Sequence, residues 1–203
     1  MKNILKKFYI NKPFVHKKFI SNLYSFKELN QLLNLRPFLN SKRFNIINSP
    51  ENGFKWNNQS WLTDVNSFPP SLIKKIIKKY TCFIIDCSRV NKKINNLCKV
   101  IENVTKHSTD AHIYFALNKS SKSFDKHKDT SHNFIVQVEG KTTFKLWQND
   151  ELVIDQLLTK GDMIYIPKNT YHQAISKEKR LSISFAMSNE LNLENQDREW
   201  LNI

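Results

Sequence analysis

The chain has 203 residues, of which 40% are hydrophobic and 12% aromatic, and its formal net charge is +14. This length and apolar content predict one packed domain and exclude a wholly disordered chain. No stretch approaches the roughly 18 apolar residues of a membrane span, so we expect no membrane association. The charge would attract nucleic acid, phosphates or acidic partners, although a composition rich in lysine, asparagine and isoleucine accounts for it equally well.

The cysteines and the N-terminus indicate the compartment. Cys82, Cys87 and Cys98 are odd in number and lack CxxC spacing, which predicts reduced thiols rather than disulfides or a zinc site. The basic N-terminus has apolar stretches too short for a secretory signal. We therefore expect a cytoplasmic protein, and no feature of the sequence indicates its oligomeric state.

Residues 1–109 are predicted to form a region of helices and strands that packs on a barrel. "SFKELNQLLN" carries a capping box, with Ser25 at the N-cap and Glu28 three residues later. "SFPPSLIKKIIKKY" predicts a second helix after Pro69 and Pro70, and "NKKINNLCKVIENV" a third with apolar residues at helical spacing. "RFNIIN" and "YTCFIID" predict strands beside these helices, the second too apolar for a sheet edge.

Residues 110–190 change to a pattern of strands alone. Gly140 and Gly161 mark two of the turns between them. Six closely spaced strands favour an antiparallel barrel or sandwich. Residues 191–203 are expected to form a C-terminal tail. The predicted fold class is therefore mainly β with N-terminal helices, and the whole chain is expected to form one structural domain. The six segments are "AHIYFAL", "NFIVQV", "TTFKLW", "MIYIP", "YHQAI" and "RLSISFAM".

The segment "HKDTSHNF" holds a candidate metal site. Residues two apart in an extended strand share a face, so His127 and Asp129 project together, while His132 faces away from the pair. His172, at the start of "YHQAI", can supply a third ligand from another strand. Two histidines and one carboxylate are the ligand set of non-heme Fe(II) oxygenases. The alternative is that a chance HxD pair lies on a lysine-rich surface and binds nothing.

Two segments resemble the cupin-type JmjC oxygenases, most closely the ribosomal oxygenase branch. They are "AHIYFAL…HKDTSHNFIVQVEGKTTFKLW" and "LTKGDMIYIPKNTYHQAI", and the resemblance covers roughly residues 80 to 187. It implies a double-stranded β-helix of the cupin or jelly-roll type, with Fe(II) held by His127, Asp129 and His172 and with 2-oxoglutarate as cosubstrate. It also implies that Tyr114 and Asn133 lie near that cosubstrate. Ribosomal oxygenases continue into a dimerisation region and a winged-helix-like domain, which we do not expect in these 203 residues.

One position departs from the family pattern. The family places a lysine or arginine two residues after the Q-x-x-G glycine, where it pairs the far carboxylate of 2-oxoglutarate, and this chain has Thr142 there. Alternation sends Lys141 and Lys145 outward. Our candidate for the missing cation is Arg180, with Ser182 on the same face of the last strand, because arginine binds a carboxylate through two parallel hydrogen bonds. The alternative is that Arg180 only ends a lysine-rich hairpin turn.

The resemblance predicts an Fe(II)- and 2-oxoglutarate-dependent oxygenase that hydroxylates a protein, an RNA or a small molecule, with a ribosomal protein or RNA as a candidate partner. Two alternatives stay open. Thr142 favours a cupin metalloprotein that does not use 2-oxoglutarate. The net charge favours a non-catalytic basic module that binds RNA or ribosomes.

Overall fold

The computed structural model describes residues 1–35, 43–47, 70–118, 123–176 and 178–190. Its N-terminal part is a mixture of short helices and strands that leads into one long helix. The elements are α1 (Lys2–Leu5), a 3₁₀ turn (Lys6–Ile10), β1 (Phe14–His16), α2 (Phe26–Leu32), β2 (Phe44–Ile46), α3 (Pro70–Lys79), β3 (Cys82–Ile84) and α4 (Lys92–Thr105).

The strands that follow form two antiparallel sheets. They are β4 (His107–Ala116), β5 (His132–Glu139), β6 (Thr142–Gln148), β7 (Glu151–Leu158), β8 (Met163–Ile166), β9 (Tyr171–Ile175) and β10 (Arg180–Glu190). Among the described residues the larger sheet has the order β1-β8-β5-β10-β4-β3-β2, and the smaller has the order β7-β6-β9. Apolar side chains of β6 pack against those of β8 between the two sheets. This is the predicted double-stranded β-helix, so the fold class is confirmed.

The helices are capped and packed as their sequences predict. The Ser25 hydroxyl accepts from the backbone N–H of Glu28, and Asn91 accepts in the same way from Ile94 at the start of α4. The apolar face of α4 is buried in the main core together with Ile113 and Phe115 of β4. Because side chains alternate along a strand, the helices cover one face of the larger sheet and leave the other face for the barrel interior.

Several local predictions are confirmed. β3 lies inside the sheet between β2 and β4, as its apolar sequence requires. The three cysteines are buried and unpaired. Gly140 adopts φ +73° in the turn before β6, where the carbonyl oxygen of Lys179 occupies the space that a Cβ would need.

Two strands were not predicted. β1 pairs with β8 and extends one edge of the larger sheet, and β7 pairs with β6 at an edge of the smaller one. The predicted boundary between residues 109 and 110 falls inside β4, and the predicted tail at 191–203 lies outside the described residues. No helix in the described part of the chain is long and apolar enough to cross a membrane.

Candidate metal centre and cosubstrate pocket

A cavity of about 280 Å³ lies between the two sheets. Both sheets contribute to its walls, and so does the segment before β5. Four of its lining residues are predicted site residues on strands, two are predicted ligands from the HxD segment, and the others are mostly small or aromatic. The lining residues are Tyr114, Ser123, Phe124, His127, Asp129, Ile135, Phe144, His172, Ala174, Arg180, Ser182 and Ser184.

The three predicted metal ligands meet at one end of this cavity. The backbones of His127 and His172 form an isolated antiparallel bridge, with N···O distances of 3.0 and 2.7 Å. This bridge fixes the two imidazoles side by side, with ring centroids 4.2 Å apart. Asp129 follows two residues after His127 and therefore returns to the same side of the chain. One ligand atom from each of the three residues lies within 4.8 Å of the others.

Both imidazoles are oriented by backbone carbonyl groups. The Nδ1 of His127 lies 2.7 Å from the carbonyl oxygen of Asp125, and the Nδ1 of His172 lies 3.0 Å from that of Thr170. A carbonyl oxygen only accepts, so each Nδ1 carries a proton, and the neutral form of each ring has its lone pair on Nε2. The two Nε2 atoms lie 3.9 and 3.6 Å from the carboxylate oxygens of Asp129. A hydrogen bond from Nδ1 to a backbone carbonyl oxygen is usual for imidazoles that bind a metal through Nε2.

The charge state of the cluster suits a cation. His172 is buried, and this burial lowers the pKa of its imidazole below the usual value, so the ring is neutral near pH 7. A neutral imidazole is the form that binds metal. The site thus offers two imidazole nitrogens and one carboxylate.

Asn133 contacts the carboxylate of Asp129. Its side-chain nitrogen donates to Oδ2 of Asp129 at 3.0 Å, and its side-chain oxygen accepts from the hydroxyl of Ser184 at 3.0 Å. The resemblance implied a position near the cosubstrate, but Asn133 is not among the residues that line the cavity. Its role as a cosubstrate contact stays a prediction, and its observed partner is the carboxylate of Asp129, a candidate metal ligand.

Arg180 lies in the same cavity as the three ligands. It is 2% exposed, its Nε has no hydrogen-bond partner, and it forms no ion pair in the part of the chain that the structure describes. Burial lowers the pKa of Arg180 to about 10, so the guanidinium remains charged at neutral pH. Ser182 and Ser184 follow on the same face of β10, as the alternation of the strand predicts. A buried cation that forms no ion pair with the described residues favours an anionic ligand.

Thr142 is fully buried, and its hydroxyl oxygen has no partner among the described residues. It does not line the cavity. Its neighbour Lys141 is exposed, and Lys145 points away from the barrel to an ion pair with Asp155 at 3.4 Å. The outward orientation predicted for both lysines is confirmed, so neither supplies the cation that the family pattern places at position 142.

Tyr114 and His132 complete the set of candidate residues. Tyr114 lines the cavity and stacks on Phe83, with centroids 5.1 Å apart, and burial together with the charge of Asp129 raises the pKa of its hydroxyl. His132 faces away as predicted, and its Nδ1 lies 2.8 Å from the Tyr165 hydroxyl and accepts from the backbone N–H of Lys168 at 3.3 Å. The cavity residues that sequence reasoning missed include Phe124 and Ser184. Ser184 could have been found by extending the Arg180–Ser182 alternation by one step.

Comparison with known proteins confirms the resemblance. A family model described as the JmjC domain matches residues 142–194, a range that includes His172 but begins after His127 and Asp129. Among curated proteins, the bifunctional lysine-specific demethylase and histidyl-hydroxylase NO66 of Drosophila simulans is 23% identical over 191 residues. The match covers 84% of this chain and 22% of the fly protein.

Solved structures of the ribosomal oxygenase YcfD from Escherichia coli share the fold. One superimposes with a TM-score of 0.63 at 16% identity and covers 90% of this chain and 50% of that chain. Another, in complex with cobalt and 2-oxoglutarate, has a TM-score of 0.59 at 16% identity, again covering 90% of this chain and 50% of that chain. The chain therefore spans about half of the bacterial protein and about a fifth of the fly protein.

Proposed function

We propose that this JmjC-like chain is an Fe(II)- and 2-oxoglutarate-dependent oxygenase, with His127, Asp129 and His172 as the iron ligands. The observation that carries the proposal is the convergence of these three side chains at one end of a cavity that also contains Arg180, whose Nε has no hydrogen-bond partner among the described residues. The similarity to a JmjC family model and to an oxygenase solved with cobalt and 2-oxoglutarate supports the same assignment.

The donor set fits iron. Two imidazole nitrogens and one carboxylate oxygen on one side of a metal leave the other side open, which is the arrangement of non-heme Fe(II) oxygenases. A structural zinc site would instead need a fourth protein ligand. No fourth histidine, cysteine or carboxylate joins this cluster among the described residues.

The cavity also fits a small dicarboxylate. The ligand cluster would meet the keto-acid end, and the guanidinium of Arg180 would pair with the far carboxylate, assisted by the Ser182 hydroxyl. The free Nε of Arg180 supports this, because a buried guanidinium is costly unless an anion neutralises it. Thr142 would then need no charge, since Arg180 supplies the positive charge from another strand of the same barrel.

When bound, iron and 2-oxoglutarate would supply oxidative hydroxylation, in which a substrate C–H bond, O₂ and 2-oxoglutarate are converted to the hydroxylated substrate, succinate and CO₂. The protein's own residues hold the components in place. The backbone carbonyls of Asp125 and Thr170 orient the two imidazoles, and Asn133 orients the carboxylate of Asp129. The aromatic side chains of Tyr114 and Phe124 line the cavity and would form an apolar wall against which substrate packs.

The substrate class remains a proposal as well. The relatives include proteins named as ribosomal oxygenases and as a histidyl-hydroxylase, so a ribosomal protein is a reasonable first substrate to test, with RNA second. Extracts or purified ribosomes incubated with the iron-loaded protein, followed by mass spectrometry for a gain of one oxygen atom, would identify it.

The proposed activity is tested by measuring whether succinate release is coupled to the loss of 2-oxoglutarate. Wild-type protein with Fe(II), ascorbate and 2-oxoglutarate should release succinate in step with loss of 2-oxoglutarate, even slowly without substrate. The variant His172→Ala should release none. Tight iron binding without succinate release under any substrate pool would favour the rival cupin metalloprotein that does not use 2-oxoglutarate. Thr142 is the residue that keeps this rival open.

A further inference from the structure

A group of lysine and aromatic side chains lies on the outer face of the smaller sheet. Lys126 and Lys128 flank His127, and Tyr171 precedes His172. Because neighbouring side chains in an extended segment point to opposite faces, these three project away from the cavity into which the histidines point. Trp147 is the register partner of Tyr171 on β6 and stands beside it. We call these four residues the lysine–aromatic patch.

The patch brings two ammonium groups onto two adjacent rings. The Nζ of Lys126 lies 4.7 Å from the centre of the Trp147 ring and 5.2 Å from that of Tyr171. The Nζ of Lys128 lies 5.3 Å from the Tyr171 ring. Tyr171 is 41% exposed, so the platform is open to solvent. The acidic neighbour of Lys126 is Asp150 at 4.0 Å, and because Asp150 is almost fully exposed this ion pair is weak.

A groove of about 520 Å³ continues from the patch. Trp147 and Tyr171 form part of its wall, and Lys168 lines it as well. The side chains of Gln148 and Asn169 bring amide donors and acceptors to the same wall. Two aromatic residues, one lysine, several amide residues and one aspartate, Asp150, thus border this groove.

We propose that the lysine–aromatic patch and its groove bind single-stranded RNA. A nucleotide is the unit that fits both features, because its base stacks on an aromatic ring while its phosphate pairs with lysine. An acidic peptide offers carboxylates to the lysines but no ring to the platform. RNA is favoured over DNA because unpaired, unstacked bases are common in RNA loops and ends. The net charge of +14 would speed the encounter. The proposal does not depend on iron or 2-oxoglutarate.

The test uses the whole chain and a fluorescein-labelled oligoadenylate, with binding followed by anisotropy over a series of salt concentrations. Two probes of equal charge accompany it, an abasic oligonucleotide and a polyglutamate peptide. Oligoadenylate should bind about tenfold more tightly than either, because only it can stack on the rings. Equal binding of all three would overturn the proposal, and tighter binding of polyglutamate would assign the surface to an acidic protein instead.

Two pairs of variants locate the contact. Lys126→Ala with Lys128→Ala should reduce the slope of log affinity against log salt by about 1.4, since each phosphate contact on a single strand contributes about 0.7. Tyr171→Leu should lower affinity about tenfold, and Tyr171→Phe should not. The matched control is Lys92→Ala with Lys99→Ala, two exposed lysines on α4 across the larger sheet, which lose the same charge.

The control pair should retain the wild-type slope. An equal fall in the control, or no change in the Lys126 and Lys128 variant, would show that RNA does not bind at this patch. Cobalt titration of every variant checks that the fold and the neighbouring metal ligands are intact. Loss of RNA binding with normal cobalt affinity would therefore show that the patch itself binds RNA. Absence of cobalt binding in wild-type protein would contradict only the proposed oxygenase function.

Discussion

The amide of Asn133 donates a hydrogen bond to Oδ2 of Asp129, and this contact turns a half-exposed carboxylate into a fixed one. The Asn133 side chain is itself held by the Ser184 hydroxyl, so β10 positions Asn133 of β5, and Asn133 positions Asp129. Outer contacts of this kind typically change metal affinity by tenfold or more.

Replacing Asn133 should therefore weaken the metal site without removing a ligand. We expect Asn133→Ala to lower cobalt affinity about tenfold, because Asp129 loses the contact that orients it. Ser184→Ala is the graded control, since it leaves the amide in place and should have a smaller effect. Titration of the cobalt absorption spectrum measures both, and unchanged affinity in Asn133→Ala would mean that the contact does not position the ligand.

Replacing Arg180 should affect the two ligands differently. Arg180→Met should weaken 2-oxoglutarate binding by about 10- to 100-fold, the value of a charged hydrogen-bonded contact, and should leave cobalt affinity unchanged. The ligand-free variant should also be more stable than wild type by on the order of 1 kcal/mol, because a buried cation without a partner is removed. Calorimetry measures the 2-oxoglutarate affinity, and urea unfolding measures the stability of the ligand-free protein. Normal 2-oxoglutarate affinity in Arg180→Met would mean that Arg180 only ends a hairpin turn.

A charge exchange tests why Thr142 is tolerated. If Arg180 replaces the basic residue that the family has at position 142, then Thr142→Lys in the Arg180→Met background should restore part of the lost 2-oxoglutarate affinity. In the wild-type background, the same Thr142→Lys change should destabilise the protein, because two buried cations would share one end of the barrel. Calorimetry on the four proteins completes the cycle. Failure of the double variant to regain any affinity would place the far carboxylate elsewhere.

His132 should make the fold sensitive to acid. Burial, with smaller contributions from the charges of His107 and Lys168, lowers the pKa of His132 to about 4. Below the unfolded value of about 6.5 the unfolded chain binds a proton that the folded chain does not, so stability falls as the pH drops from about 6.5 towards 4.

The resulting decrease in the free energy of unfolding is about 3 kcal/mol at pH 4. The variant His132→Gln should lose this part of the pH dependence while keeping the part that comes from carboxylates. Urea unfolding of both proteins between pH 4 and pH 7 gives the difference, and parallel curves for the two proteins would contradict the assignment.

The sequence alone predicts the parts of the site that depend on strand alternation. His127 with Asp129, and Arg180 with Ser182, follow from a side-chain period of two, and the outward positions of His132 and Lys145 follow from the same rule. The bridge between His127 and His172 could not be predicted, because backbone pairing between distant segments leaves no local pattern. The same holds for the link from Ser184 through Asn133 to Asp129.

The missed strands have a similar cause. β7 is exposed over nearly its whole length and shows no alternation of polar and apolar residues. It is a strand because its backbone pairs with β6 at the edge of the sheet. β1 has only three residues and is defined by its pairing with β8. Periodicity detects strands that bury one face, and neither of these does so.

The central claim, that one cavity holds iron and 2-oxoglutarate together, is tested most directly by anaerobic titration. Protein loaded with Fe(II) should develop the weak visible charge-transfer band of the iron chelate when 2-oxoglutarate is added. His127→Ala should show no band because it lacks an iron ligand, and Arg180→Met should show it only at higher 2-oxoglutarate concentration. Iron-loaded wild-type protein that gives no band at saturating 2-oxoglutarate would contradict the account.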